Sequence, residues 1–370
     1  MPDVKGEAVS HRAHEPCTDG LWHVVLTRFS YRNPTQSFEA RRKAADQSVR
    51  KIDPLDPARL ERRARLFEMT CVPSLLTQTS QNFDWIIIID KCLPQSHRQR
   101  LIDQVGFRPR THLHEFSPSE DLACIDWLRR YASPSARRLL TTILDDDDAL
   151  PSGFVAAAQT YITERSSLPP IMTLGAKSCV QWEAISSSKA PLGYRSSWHR
   201  SNHVMSAGFS LLCDYPNVAL IVFSIDHILG DIWHKDGKEP AFLSRELQEF
   251  RTQTAPFFAR SRAWSESQGV DLFVDVSPMA GAVVMTNHFF NDEAWRLLEH
   301  KPDRHRVIGN ESFPQVGLRL ESFTKHAQLF SKQWDIYTEL LRQVIAVSKL
   351  RLGQSKFFVA LWTTWRFVLL

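Results

Sequence analysis

The chain has 370 residues, 43% hydrophobic and 23% charged, an ordinary globular composition with ample length for a sizeable core in one large domain or two smaller ones. A formal net charge of +4 is small for this length and, with no RNA- or DNA-binding motif in the chain, gives no case for a nucleic-acid partner. The six cysteines (Cys17, Cys71, Cys92, Cys124, Cys179 and Cys213) are widely and irregularly spaced, which argues against a zinc site or disulfide framework and for free thiols in a reducing cytoplasm.

Residues 1–20 carry little apolar matter and no hydrophobic signal-peptide core, so they are expected to be a disordered N-terminus. No stretch reaches the roughly 18 apolar residues that a membrane-spanning helix needs. Leu21 to Phe29 reads as a first strand, with Arg28 at its end able to meet a phosphate or base or simply to lie in a surface loop. Residues 30–58 are polar and proline-bearing, too long for a tight connection. Ala58 to Met69 has helical periodicity, with Leu60, Ala64 and Phe67 near one face. Its basic residues Arg59, Arg62, Arg63 and Arg65 read most simply as a solvated face, with a sugar-phosphate contact as the alternative. Pro73 either kinks this helix or starts a new one from its first turn.

Phe83 to Asp90 is the clearest strand, a continuous isoleucine run that implies burial on both faces. A helix over Pro94 to Gly106, a strand over Arg110 to Phe116 and a helix over Leu122 to Tyr131 follow. Leu139 to Leu144 is a fourth buried strand, and it runs into Asp145, Asp146, Asp147 and Asp148 before Pro151. Four alternations of strand and helix over residues 21–150 predict a parallel, doubly wound α/β sheet. Two of its strands end in aspartate at the edge where such sheets bind ligands. Unpaired carboxylates are costly to bury, so the four acids are expected to face water, bases or a cation. Hard divalent ions take oxygen ligands of this kind together with phosphates, which points to a metal–diphosphate site at Asp145 to Asp148; a solvated acidic loop is the plainer alternative.

The second half is less regular. Helices are expected over Gly153 to Glu164 and Leu243 to Thr252, and strands over Pro169 to Gly175, Ser206 to Cys213 and Val274 to Asn287. A serine-rich loop over 183–203 carries Trp198, His199, Arg200 and His203. Val218 to His227 fits a strand or a buried helix equally. Gln333 to Lys349 is amphipathic, and Lys356 to Leu370 is apolar, aromatic and flanked by basic residues. That tail could lie in a membrane interface, pack on the core or make an oligomer contact.

Three blocks carry a resemblance. Arg65-Leu66-Phe67-Glu68 with Cys71-Val72-Pro73-Ser74-Leu75-Leu76-Thr77-Gln78 and Phe83 to Asp90, then Thr142 to Leu150, then Asn287-His288-Phe289-Phe290-Asn291, resemble in order the motifs of a rhamnosyltransferase family of GT-A-type glycosyltransferases. Phe289 stands where that family has glycine. The resemblance covers roughly residues 21–300 and implies a GT-A-like Rossmann-type sandwich with a mainly parallel central sheet. A nucleotide-binding half would span 21–150 and an acceptor half 151–330, followed by a C-terminal amphipathic and apolar helical extension over 331–370. It implies that an Asp-x-Asp motif holds Mn2+ or Mg2+ against a nucleotide-sugar diphosphate. Asp147 would ligate the metal, Asp145 would contact the ribose or the metal's water shell, and Asp148 would support the loop, with Asp146 also at the donor. His288 would be a further metal or diphosphate ligand, Asp90 would contact base or ribose, and Arg28 would help hold the nucleotide. Asp214, Asp226, Asp231 and Glu183 are candidate general bases, Asp226 being the one singled out. His227 is a weaker site candidate.

The function so implied is metal-dependent sugar transfer to a saccharide, glycan or lipid-linked acceptor in bacterial surface polysaccharide synthesis, in the cytoplasm with a peripheral inner-membrane contact through the tail. Two other classes compete. A metal-dependent nucleotidyltransferase would carry a glycine-rich basic loop after the first strand, and Arg28-Phe29-Ser30-Tyr31-Arg32-Asn33 has no glycine. A non-catalytic membrane-surface scaffold would use the aromatic tail alone.

Overall fold

The computed structural model describes residues 20–31, 54–116, 125–187, 190–194, 198–200, 207–218, 220–223 and 245–287. The chain opens with β1 (Leu21–Phe29), followed by α1 (Pro57–Met69) and α2 (Cys71–Leu76), with Pro73 inside the first turn of α2, as expected of a restarted helix. Then come β2 (Asp84–Asp90), α3 (Gln95–Val105), β3 (Thr111–Phe116), α4 (Asp126–Arg129), β4 (Arg138–Ile143) and α5 (Phe154–Thr163). The second half supplies β5 (Ile171–Gly175), β6 (Ser178–Ser187), β7 (Ala190–Tyr194), β8 (Trp198–Arg200) and β9 (Ser210–Asp214). It ends with α6 (Arg245–Gln268), β10 (Phe273–Asp275), α7 (Ser277–Ala280) and β11 (Val283–Asn287).

Seven strands form one sheet in the order β10-β5-β9-β4-β1-β2-β3, and β11-β6-β7 with β8 form a second. Strands β1 to β4 are mutually parallel, as the alternation predicted. β9 runs antiparallel between β4 and β5, so the sheet is mainly rather than wholly parallel. All seven residues of β2 are buried. Its isoleucines alternate between two cores. Ile87 and Ile89 meet Leu60 and Phe67 of α1, Leu101 of α3 and Phe154 of α5 on one face. Ile86 and Ile88 meet Trp127 and Leu128 of α4 and the chain at Leu220 to Phe223 on the other.

Three expectations change. α6 runs through Pro256 for 24 residues instead of stopping near residue 252. The predicted strand over Val274 to Asn287 is β10, α7 and β11, broken at Gly281, whose φ of 96° no β-branched neighbour could share. Val218 and Leu220 to Phe223 are buried but form neither a strand nor an α-helix. Their polar backbone is met by side chains: the Cys213 thiol donates to the carbonyls of Val218 and Leu220, and the Val222 amide donates to Thr141 Oγ1 at 2.8 Å.

Two buried polar networks cross the core. At the N-terminal edge of the sheet, Asp84 Oδ2 accepts from Trp22 Nε1 at 2.8 Å and Arg110 Nη2 at 2.9 Å, and its Oδ1 from Arg110 Nε at 3.0 Å. Arg110 holds a left-handed φ of 63° there. Through the sheet centre, Gln159 Nε2 lies 3.3 Å from His23 Nδ1, and His23 Nε2 lies 3.0 Å from Thr142 Oγ1. Thr142 Oγ1 is 2.7 Å from Ser210 Oγ, which donates to the Gly208 carbonyl at 3.0 Å. The Ser80 hydroxyl donates to Gln159 Oε1 at 2.7 Å, so the Gln159 amide nitrogen faces His23 as a donor. His23 is therefore protonated on Nε2, and the hydroxyls pass their protons on toward Gly208.

Candidate functional site

β4 is packed between β1 and β9, and its Thr141, Thr142 and Ile143 suit a doubly covered strand. The Leu144 amide still donates to the Leu26 carbonyl at 3.0 Å, after which the four aspartates leave the sheet in a turn closed by Asp148 N to Asp145 O at 3.1 Å. The parallel register aligns Leu26 with Ile143 and Phe29 with Ile89, so Arg28, Asp90 and Asp145 belong to the same C-terminal edge. This is the edge where the sequence placed them.

The acidic turn is held at several points. Asp145 Oδ1 accepts from Arg28 Nη2 at 3.1 Å, with both side chains about a third exposed (30% and 32%). The Arg28 guanidinium also sits 5.4 Å from the centroid of the Phe223 ring. Asp146 departs from expectation. Its side chain is fully buried, and both oxygens accept from Arg63 of α1, Oδ2 from Nε at 2.7 Å and Oδ1 from Nη2. Asp146 is thus engaged inside the protein, and Arg63 is mostly buried rather than on a solvated face. Burial pushes the Asp146 carboxyl up to about 6, with Arg63 opposing. Burial also works against the Arg63 charge, but the carboxylates of Asp146, Asp147 and Asp145 outweigh it and hold the guanidinium charged. Asp147 and Asp148 are nearly buried, at 5% and 4% exposure.

Beneath the turn, Trp85 Nε1 donates to Thr27 Oγ1 at 3.1 Å, and Thr27 Oγ1 lies 3.9 Å from Cys71 Sγ. Burial, and then the fields of Asp146, Asp148 and Asp147, push the Cys71 thiol well up. Beyond the turn, Ala149 and Val284 exchange both backbone hydrogen bonds at 2.9 Å, joining the acidic segment to β11. Gln78 fixes the next residues: its Nε2 donates to the Pro151 carbonyl at 2.9 Å and its Oε1 accepts from Val155 N at 3.0 Å. Gly208 packs directly behind, with φ of 73° and room for no side chain. A Cβ there would stand 2.8 Å from Leu150 and 2.9 Å from Phe154. Gly208→Ala is expected to cost about 2 kcal/mol or more from the left-handed backbone and the overpacking together, read as a lowered thermal midpoint.

The other expected site residues divide. Asp90 is fully buried at the end of β2, and its Oδ1 accepts the Cys92 amide at 2.8 Å, which shapes the turn after the strand. Asp214 pairs in register with Arg138 at the start of β4, the opposite edge of the sheet from Asp145, which removes it as a general base. Asp226, His227, Asp231 and His288 lie outside the described residues, as does the tail over 331–370. Arg63, Gln78 and Phe223 were missed. For Arg63 a signal existed: it lies three residues after Leu60 and four before Phe67, both fully buried, so it borders the packed stripe of α1.

The residues present suit a divalent cation bound with a diphosphate. Among the described residues no three His, Cys, Asp or Glu side chains converge as a complete cage. Mg2+ and similar ions need none, since one or two carboxylates plus substrate phosphates suffice. Four carboxylates against the guanidinium groups of Arg28 and Arg63 leave the turn formally negative, which favours a cation.

The family model described as Putative rhamnosyl transferase matches residues 22–217, more than half of the chain. The chain belongs to that family. The rhamnosyl transferase match runs from β1 to the turn after β9 and includes Arg28, Arg63, Gln78 and all four aspartates. No curated protein matches. Among solved structures, S. aureus TarS 1-349 is similar at 11% identity and TM-score 0.25, over 46% of this chain and 39% of that one. This chain therefore spans well under half of that relative. The 4-diphosphocytidyl-2C-methyl-D-erythritol synthase of Anaerococcus prevotii is similar at 9% identity and TM-score 0.27, over 76% of this chain and 100% of that one. Mouse xyloside xylosyltransferase 1 is similar at 9% identity and TM-score 0.27, over 69% and 84%. No helix among the described residues is long and apolar enough to cross a membrane.

Proposed function

We propose that this chain is a glycosyltransferase that moves a sugar from a nucleotide-sugar donor to a glycan or lipid-linked saccharide acceptor in surface polysaccharide synthesis, with Mn2+ or Mg2+ at Asp145 and Asp147. Family membership supports the reaction class. The observation that carries the site is the meeting of Arg28 with Asp145, 3.1 Å apart and partly open to solvent, at the head of an acidic turn on the C-terminal edge of a parallel sheet.

The chemistry follows from charge. Cleavage of the bond between sugar and nucleotide leaves extra negative charge on the diphosphate. A divalent ion, when bound, supplies Lewis-acid stabilisation of that charge. Arg28 offers a second cation at the same place, already oriented by its bond to Asp145 and its position against Phe223. Asp145 and Asp147 supply carboxylate oxygens, while Asp146 balances Arg63 inside the protein. Asp90 holds the turn after β2 through Cys92, which makes its part in donor binding one of shaping the backbone.

Calorimetric titration of UDP, GDP and dTDP, with and without Mn2+, tests this on the wild type and on Asp147→Ala. One nucleotide is expected to bind only with the metal, and about ten- to hundredfold more weakly in the variant. A folded wild type that binds none of the three overturns the reading.

A further inference from the structure

Four aspartates in a row contain two alternate pairs, Asp145 with Asp147 and Asp146 with Asp148, and nothing in their order separates the two. The structure singles out one of the four, Asp146, through Arg63, 83 positions away in the sequence. Arg63 grips both oxygens of Asp146 in the planar fork geometry that suits a carboxylate, and the gripped side chain is fully buried. Asp145 lends one oxygen to Arg28 and remains about a third exposed. Arg63 is itself placed by core packing, since Leu60 and Phe67 on the same face of α1 are fully buried.

We infer that Arg63 is a positioning residue for the acidic turn: by locking Asp146 inward it keeps that carboxylate out of the cation and diphosphate site and leaves the partly exposed Asp145 facing it. This rests on the donor-site reading above. Arg63 touches no substrate in this scheme and acts through Asp146 alone. The segment from α1 to the residues just after α2 fixes the turn from both ends, Arg63 at Asp146 and Gln78 at Pro151 and Val155.

Two binding measurements separate this role from simple support of the fold. Removing a guanidinium beside a cation site favours a bare cation, and it also frees one more carboxylate. Losing the frame disfavours the ternary arrangement of metal and diphosphate. Arg63→Met is therefore expected to bind Mn2+ alone, followed by the electron paramagnetic resonance of free Mn2+, as tightly as the wild type or more tightly. The same variant should bind the nucleoside diphosphate in the presence of Mn2+ about tenfold or more weakly. Arg63→Met paired with Asp146→Val replaces the buried ion pair by apolar side chains of similar combined volume and keeps the turn's other anchors. That pair should retain the thermal midpoint and bring nucleotide affinity back to within about threefold of the wild type, because the side chain that needed sequestering is gone.

A parallel loss of Mn2+ and nucleotide binding in a folded Arg63→Met overturns the inference, as does a folded double variant that stays as weak as the single one. If Arg63→Met does not fold, the double variant decides by the same criterion. The wild-type arm is read first: no metal-dependent nucleotide binding there overturns the donor site itself, a result distinct from any failure among the variants.

Discussion

Asp84→Ala is expected to destabilise the protein by about 3–5 kcal/mol, the cost of breaking a buried charged pair from one side. Asp84 is 1% exposed at the first position of β2, and its two oxygens take three hydrogen bonds from Trp22 and Arg110. Burial alone would raise its carboxyl; hydrogen bonds from His112, Arg110 and Trp22 overcome burial and hold it far below the usual carboxylate range. Alanine removes the carboxylate to which the Trp22 indole N–H and Arg110 Nε and Nη2 donate. Because the folded carboxyl is depressed below its unfolded value of 3.8, its stabilisation is present above that pH and is lost as pH falls below it. Urea denaturation at neutral pH measures the first effect. A loss below about 1 kcal/mol would class the cluster with ordinary surface pairs.

The second large effect lies at milder acidity. His23 is completely buried, and burial first, then the charge of Arg110, lowers it to about 3, with Asp84 opposing. Its unfolded value is 6.5, so the fold prefers the neutral ring. The stabilisation is complete above pH 6.5 and is lost progressively as pH falls toward 3. At about 1.4 kcal/mol per pH unit for one proton, the fall from pH 7.5 to 5 amounts to about 2 kcal/mol. His114, buried among Phe116, Trp127 and Tyr131, is lowered to about 4 by burial and then Arg130, and it adds a loss of the same sign. Denaturant midpoints across this range should therefore fall steeply in the wild type, and about half as steeply in His23→Gln. A flat profile in the wild type would mean that water reaches His23.

The parts of the fold that were legible in the sequence share a physical reason. β1, β2 and β4 are apolar runs with few alternatives, and α1 repeats its buried residues at helical spacing. The Asp145 turn was legible because consecutive carboxylates must leave the core. The same argument allowed water, bases or a cation as partners without saying which acid would take which, and Asp146 takes a distant arginine, Arg63, inside the protein. α6 was cut short because its polar composition hid its continuation, and Pro256 removes a single amide from a helix that packs on β5. The chain at Leu220 to Phe223 defied periodicity because its backbone is satisfied by Thr141 and Cys213 rather than by a ladder.

The edges of the family match and of the folding unit do not coincide. A chain ended at residue 217, where the match stops, would keep every aspartate and arginine of the turn yet lack β10, leaving the outer rim of β5 bare and open to pairing with other molecules. It would also lack Val284, the backbone clasp on Ala149. The family match thus stops short of two segments that complete the sheet beside β5 and clasp the chain just after the four aspartates.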